Sequence, residues 1–139
     1  MSHPRFHTDP LAHSPLFANC SRKEQARLAR SVERVRVAAG TLIVTEGTNP
    51  HAVYVIVDGH VTYSRDGVLM ADAGPGEHFG DVSALSGEPM AMTAVAGTDV
   101  DLVEIGQREF VAAVETIPAL ARKVLRDLAT GVRPVELAA

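Results

Sequence analysis

The residue types that do chemistry are all present in this chain, but not in the groupings that catalysis needs. Of six histidines, His3, His7 and His13 lie in a Pro-rich start whose spacing fits no closed metal site. His51, His60 and His78 lack the close His-x-His pairing of a cupin-like metal enzyme, the main all-β enzymatic rival. Cys20 is the single cysteine. It excludes an intrachain disulfide and reads as a small buried hydrophobe. There is no Gly-x-Ser-x-Gly elbow, no phosphate-binding P-loop and no His-Glu-x-x-His. Carboxylates are plentiful, yet no motif singles out a pair. No catalytic residue, metal site or required cofactor is expected.

One segment is suited to binding. A family resemblance carried by residues 79–93 implies that Gly80 leads into a helical turn from Asp81 to about Leu85, whose first N–H groups can hold an anion. A Ser83 hydroxyl could add one donor or cap the turn locally. The charge around this segment is one-sided. From Asp66 to Gln107 the chain has eight acids and no Lys or Arg. A cation for this turn must come from outside the stretch, from Arg65, from the last helix (Arg122, Lys123, Arg126) or from a second chain. His78 is the one ring inside it that could take part.

The elements that would position this turn follow from the pattern. The length of 139 residues, with 46% hydrophobic residues, is that of one domain with one real core. The net charge of -4 argues against general nucleic-acid binding. Residues 1–13 show no periodicity and read as a loose arm. Ser21-Arg22-Lys23-Glu24 is a capping box. With Leu28, Ala29 and Val32 at helical spacing it predicts a helix over about 22–33. Short β-branched runs then alternate with glycine: Val35–Val37, Thr41–Val44, Val53–Val57, Val61–Tyr63, Val68–Met70, Thr93–Ala96 and Val100–Ile105. Asp58-Gly59 and Asp66-Gly67 suit tight hairpin turns. Strand after strand without intervening helices predicts an all-β sandwich or barrel rather than a doubly wound α/β fold. After Gly106 helix returns. Phe110, Val111 and Val114 form one stripe. Leu120, Val124, Leu125 and Leu128 form a second, ending near Gly131, with Pro134 beyond it. The expected division is an arm (1–13), one domain (14–131) and a tail (132–139). No apolar run approaches a membrane span or a signal peptide, so a soluble, reducing, cytoplasmic setting is expected.

The ordered glycines Gly40, Gly47, Gly59 and Gly76, followed by Phe79-Gly80-Asp81-Val82-Ser83-Ala84-Leu85-Ser86-Gly87-Glu88-Pro89-Met90-Ala91-Met92-Thr93, carry a resemblance over roughly residues 15–131. The chain resembles the cyclic-nucleotide-binding superfamily, which includes the catabolite-activator regulators and the regulatory subunit of protein kinase A. The resemblance implies a mainly β, jelly-roll-like barrel (a double-stranded β-helix) with a short N-terminal helix and two C-terminal helices. It also implies a phosphate-binding cassette of the form Phe-Gly-Glu, an apolar stretch, then Pro-Arg-Ala-x-Thr. The implied ligand-binding positions are Phe79, Gly80, Asp81, Val82, Ser83, Pro89, Met90, Ala91, Met92 and Thr93. The acid at 81 would receive a ribose hydroxyl. The residue at 90 would grip phosphate, and Thr93 would point at it or begin the next strand.

Two positions depart from that pattern. Asp81 is one methylene shorter than the usual Glu. Met90 stands where the arginine should be and carries no charge and no donor. Losing a hydrogen bond to a charged group costs about 1.5–3 kcal/mol, and leaving a phosphate partly desolvated against an apolar thioether adds to that, which together make roughly tenfold to a few hundredfold in affinity. The expectation is therefore a stand-alone, non-catalytic regulatory module with weak or no cyclic-nucleotide binding, acting through an unidentified protein partner. The alternative is a genuine cyclic AMP or cyclic GMP sensor whose last helix closes over the ligand. The stripe Leu120, Val124, Leu125 and Leu128 would serve as that lid, or as the contact of a homodimer. A catabolite-activator-like DNA reader would need more chain than the segment from Glu115 to Ala139, so direct DNA binding is not expected.

Overall fold

The continuous apolar run Ala52–Asp58 sets the architecture of the computed structural model, which describes residues 10–130. This strand, β3, is buried almost throughout. An ordinary half-solvated strand would alternate, so β3 is buried on both faces. Val53 and Val55 belong to one apolar cluster, Ile56 and Tyr54 to another.

Eight strands form two antiparallel sheets of four. The first has the order β1 (Val32–Val37), β8 (Val100–Gly106), β3, β6 (His78–Phe79). The second runs β2 (Leu42–Val44), β7 (Thr93–Ala96), β4 (Val61–Arg65), β5 (Val68–Ala73). Val35, Val37, Ile56, Val61, Ala94, Ala96, Val100 and Leu102 meet between the sheets and form the inner core. The outer face of the first sheet carries Val53, Val55, Val103 and Ile105 and packs against the helices. These helices are α1 (Arg22–Ala29), α3 (Gln107–Thr116) and α4 (Pro118–Thr130), and α2 (Asp81–Ser86) follows β6. The arrangement is the mainly β jelly-roll expected.

Three details differ from the sequence-based expectation. The loose arm does not extend to His13. Pro10–His13 forms a 3-10 turn, and Leu11 is 0% exposed within the outer core. Residues 1–9 and 131–139, which hold the rest of the arm, His3, His7 and the tail, lie outside the described residues. The first helix stops at Ala29 rather than about 33, because Val32 begins β1 opposite Ile105. The capping box itself is present, with Ser21 Oγ accepting from Glu24 N and Glu24 Oε1 accepting from Ser21 N.

The third difference concerns the two Asp-Gly pairs, which do different things. Asp66-Gly67 closes a two-residue hairpin between Arg65 and Val68, with φ of 53° and 80° at the two turn residues. Positive φ at both is the mark of a type I′ turn. Asp58-Gly59 is no hairpin, since β3 and β4 lie in different sheets and the chain crosses between them there. Leu11 gives a direct test of the boundary. Leu11→Ala should cost about 2–5 kcal/mol in urea unfolding if the 3-10 turn belongs to the core, and less than about 0.5 kcal/mol if it belongs to a loose arm.

Candidate functional site

The cassette begins where β6 ends. Phe79 pairs with Tyr54 across the strands, and the two rings stack at 5.1 Å and 19°. The Tyr63 ring meets Phe79 edge-on at 5.8 Å and 78°. Phe79 therefore anchors the cassette inside the roll. Burial, with the Glu104 carboxylate behind it, pushes the Tyr54 phenol above its ordinary value of 10.0. Tyr54 thus contributes stability that is present below that ordinary value and lost as pH climbs through the raised one.

Gly80 then turns the chain with φ of +94°. A Cβ there would lie 2.6 Å from the Ala52 carbonyl oxygen, so no other residue fits without strain. Helix α2 follows, with Asp81, Ser83 and Ala84 buried. Gly80, Asp81 and Ser83 are buried and Val82 is half-buried. The Ser83 carbonyl accepts from Gly87 N at 2.9 Å and closes the last turn.

The acid at 81 is placed differently from the expectation. Alternation along β6 sends Phe79 into the roll and His78 to the opposite face, beside Val55 of the outer core. Asp81 follows His78, with Oδ2 3.3 Å from Nε2 and both side chains over nine-tenths buried. The carboxylate is consequently engaged on the helix side of the sheet. It lines a groove of about 200 Å³ between α2 and α4, together with Val82, Leu85, Ser86, Val124 and Leu128.

Met90 is 3% exposed, inside the inner core with Phe79, Val61 and Ala73. Its backbone is stitched to the loop after β2: Met90 N donates to Thr48 O and Gly47 N donates to Met90 O, both at 2.8 Å. Pro89 is exposed, Ala91 half-buried and Met92 buried. Thr93 begins β7 opposite Ser64. Its hydroxyl is engaged by Glu46, donating to Oε1 at 3.1 Å and accepting from Glu46 N at 3.0 Å.

The cations outside the cation-free stretch divide. Arg65 follows Val61 and Tyr63 at two-residue spacing on β4 and has a buried Nε. Lys123 lies 2.9 Å from Asp127 on α4. Arg122 and Arg126 are exposed. The α4 stripe also divides. Leu120 and Val124 are buried, whereas Leu125 is 65% and Leu128 38% exposed. The third inward position is Asp127, not a leucine. Among the described residues no group of three or more His, Cys, Asp or Glu could hold a metal ion. None of the described helices is long and apolar enough to cross a membrane.

With this geometry in place, the comparisons with known proteins decide the family. Residues 34–116 match the family model of the cyclic nucleotide-binding domain. The chain belongs to this family. It is 27% identical over 97% of its length to a cAMP-dependent protein kinase regulatory subunit of Colletotrichum orbiculare, of which it covers 35%. It is 31% identical over 86% of its length to the Pycsar effector protein XpPycTIR of Xanthomonas perforans, of which it covers 39%. The chain thus spans between a third and two-fifths of these two relatives. Among solved structures, the Thermus thermophilus catabolite activator protein superposes with a TM-score of 0.78 at 28% identity, covering 90% of this chain and 61% of that one. This cyclic-nucleotide-binding-type domain has the glycine framework and the Phe-to-Pro spacing of the family's cassette. It departs from that pattern at Asp81 and Met90.

Glu46 is the polar residue of this site that sequence reasoning did not assign, and His78, expected only as a ring that could take part at the turn, contacts Asp81. A signal existed for His78, which precedes Phe79 by one residue and so must face the other way on a strand. The His78–Asp81 contact yields a stability test. His78→Ala leaves a buried carboxylate without that partner and should cost about 1–3 kcal/mol in urea unfolding. The doubly substituted His78→Ala, Asp81→Ala chain should recover part of that loss. Equal loss in the single and double variants would show that the contact contributes nothing.

Proposed function

We propose that this domain is a non-catalytic regulatory module whose cassette does not grip a cyclic nucleotide, and that it acts by contact with protein. The observation that carries this reading is Met90: its side chain fills apolar space inside the roll and offers nothing to a phosphate. Placing a phosphate against that side chain would desolvate charge without a donor in return. The engagement of Asp81 with His78 on the helix side supports the same reading, because the ribose-facing acid is then missing as well. The contact surface is the outer face of α4, where Leu125 and Leu128 are exposed. A second copy is the natural occupant, since isologous pairing places like leucines together.

A second reading, a cyclic AMP or cyclic GMP sensor, is favoured by Arg65. On β4, two residues after Tyr63, it is the cation that would stand in for the cassette arginine. The α2–α4 groove gives α4 a position from which to close.

Calorimetric titration with cyclic AMP and cyclic GMP separates the two. The first reading expects no binding tighter than about 10 µM in the natural sequence, and gain of binding in Met90→Arg. The second expects tight binding that Arg65→Ala abolishes. A thermal melt of Met90→Arg with and without nucleotide shows whether that variant folds. For the contact surface, light scattering should give a dimer mass for the natural sequence and a monomer mass for Leu125→Asp. A monomer at all concentrations for the natural sequence removes α4 as a self-contact.

A further inference from the structure

The two sheets have four edge strands, and three of them are blunted. β2 is three residues long and β6 two. β1 is six residues long but carries Glu33, Arg34 and Arg36, and charges on an edge discourage pairing with a further strand. β5 is the exception. It is also six residues long, and it opens with Val68, Leu69 and Met70, which are between 44% and 66% exposed. It has no Lys and no Pro. Its one irregularity is a bulge at Met70, which falls between Leu69, opposite Ser64, and Ala71, opposite Tyr63.

Alternate residues of an antiparallel strand turn their N–H and C=O away from the neighbour they are paired with. On β5 these groups point away from β4, and no strand among the described residues takes them up. An open row of backbone donors and acceptors beside exposed apolar side chains fits an extended segment, which satisfies both. A helix would leave the row unmet, because its own backbone groups are already engaged. A lipid surface would leave it unmet as well. The charges narrow the occupant further. Within 61–73 the charged residues are Arg65, Asp66 and Asp72. Arg65 is half-buried, with its Nε buried. Asp66 and Asp72 are exposed and flank the apolar triplet on its two sides. A third carboxylate, Glu46, accepts from Asp66 N at 3.2 Å at the hairpin turn. A second copy pairing antiparallel about Leu69 would set Asp66 of each chain opposite Asp72 of the other, two like-charge pairs. A segment with an apolar centre and Lys or Arg at its ends meets the opposite sign at both.

We infer that the β5 edge is a strand-addition site for an extended, basic-ended segment of a partner protein. The edge belongs to the second sheet, whereas α4 packs against the first. It therefore stands or falls independently of the α4 contact and of nucleotide binding.

The test uses the full chain, isotopically labelled for amide NMR. The probe is a synthetic peptide of about nine residues, with alternating Val and Thr at its centre and Lys at both ends. One control peptide has Pro at two central positions, which removes ladder donors. A second has Glu in place of Lys. The expected result is that the Lys-ended peptide shifts the amides of residues 68–73 and slows deuterium exchange at those that point away from β4. The doubly substituted Asp66→Asn, Asp72→Asn chain should bind it at least about threefold more weakly. Asn-Gly suits the same turn, so that chain should melt with the natural one. Leu69→Lys, at an exposed position, should abolish binding and also leave the melt unchanged. Equal binding of the Pro-interrupted peptide overturns the proposal, since no strand is then added. Equal binding of the Glu-ended peptide overturns the basic occupant. A failure of the Lys-ended peptide to shift residues 68–73 overturns the site. Slow exchange of the outward β5 amides in the chain alone overturns it too. Where dilution speeds that exchange, a second copy covers the edge; where it does not, the chain covers its own edge.

Discussion

A sheet buried on both faces is the constraint on which the rest of this domain depends. The sheet β1-β8-β3-β6 has the helices on one side and the second sheet on the other. Each apolar residue of its strands must then serve one core or the other. On β8, Val103 and Ile105 serve the helix side while Val100 and Leu102 serve the roll. On β1, Val32 turns to the helices and Val35 and Val37 to the roll. The same alternation reaches β6, which is only two residues long. There it assigns Phe79 to the roll and His78 to the helix side. The cassette inherits that division at once. Gly80 turns the chain against the Ala52 carbonyl, and the acid that follows meets His78 rather than the inside of the roll. The chemistry of position 81 is thus decided by strand parity one turn earlier.

The same constraint explains which parts of the fold were legible in the sequence. Runs such as Val53–Val57 announce strands because double burial needs apolar residues at every position. Asp66-Gly67 announces its hairpin because both turn residues need positive φ. Asp58-Gly59 has the same letters and a different outcome. Whether a turn joins paired strands or crosses between sheets depends on where the next strand finds its partner, and no local signal carries that. The start of β1 was obscured for a related reason. Leu28, Ala29 and Val32 have helical spacing, yet Val32 reaches the outer core as part of a strand. Leu11 was obscured because a single leucine among Pro and His residues has no period to display. Its burial comes from the elements that close over it.

On α4 the stripe was legible but its division was not. Val124 follows Leu120 by one turn and Asp127 by two, which keeps all three on one side of the helix. Leu128 is rotated away from that side and Leu125 further still. The body of the domain takes the first group, and exposure rises from Leu128 to Leu125. A buried acid at 127 is tolerated with Lys123 one turn away at 2.9 Å. Binary pattern alone assigns the inward place to leucine, so an inward aspartate is found only when the neighbouring elements are in place.

The cassette was legible as a motif and incompletely legible as a site. Phe79, Gly80 and Pro89 could be placed by spacing. What the space around Met90 contains could not, because the inner core is assembled from strands far apart in the chain. Val61, Ala73, Ala94 and Leu102 reach it from four different strands. An arginine at 90 would need an anion or an acid to accompany it in that surrounding. Methionine needs neither. Its backbone bonds to Gly47 and Thr48 tie the loops together whichever side chain is present. The roll is therefore held by contacts that do not involve the chemistry of position 90. That separation of scaffold from site is what lets a domain of this family keep its shape with a methionine where the phosphate-gripping cation would stand.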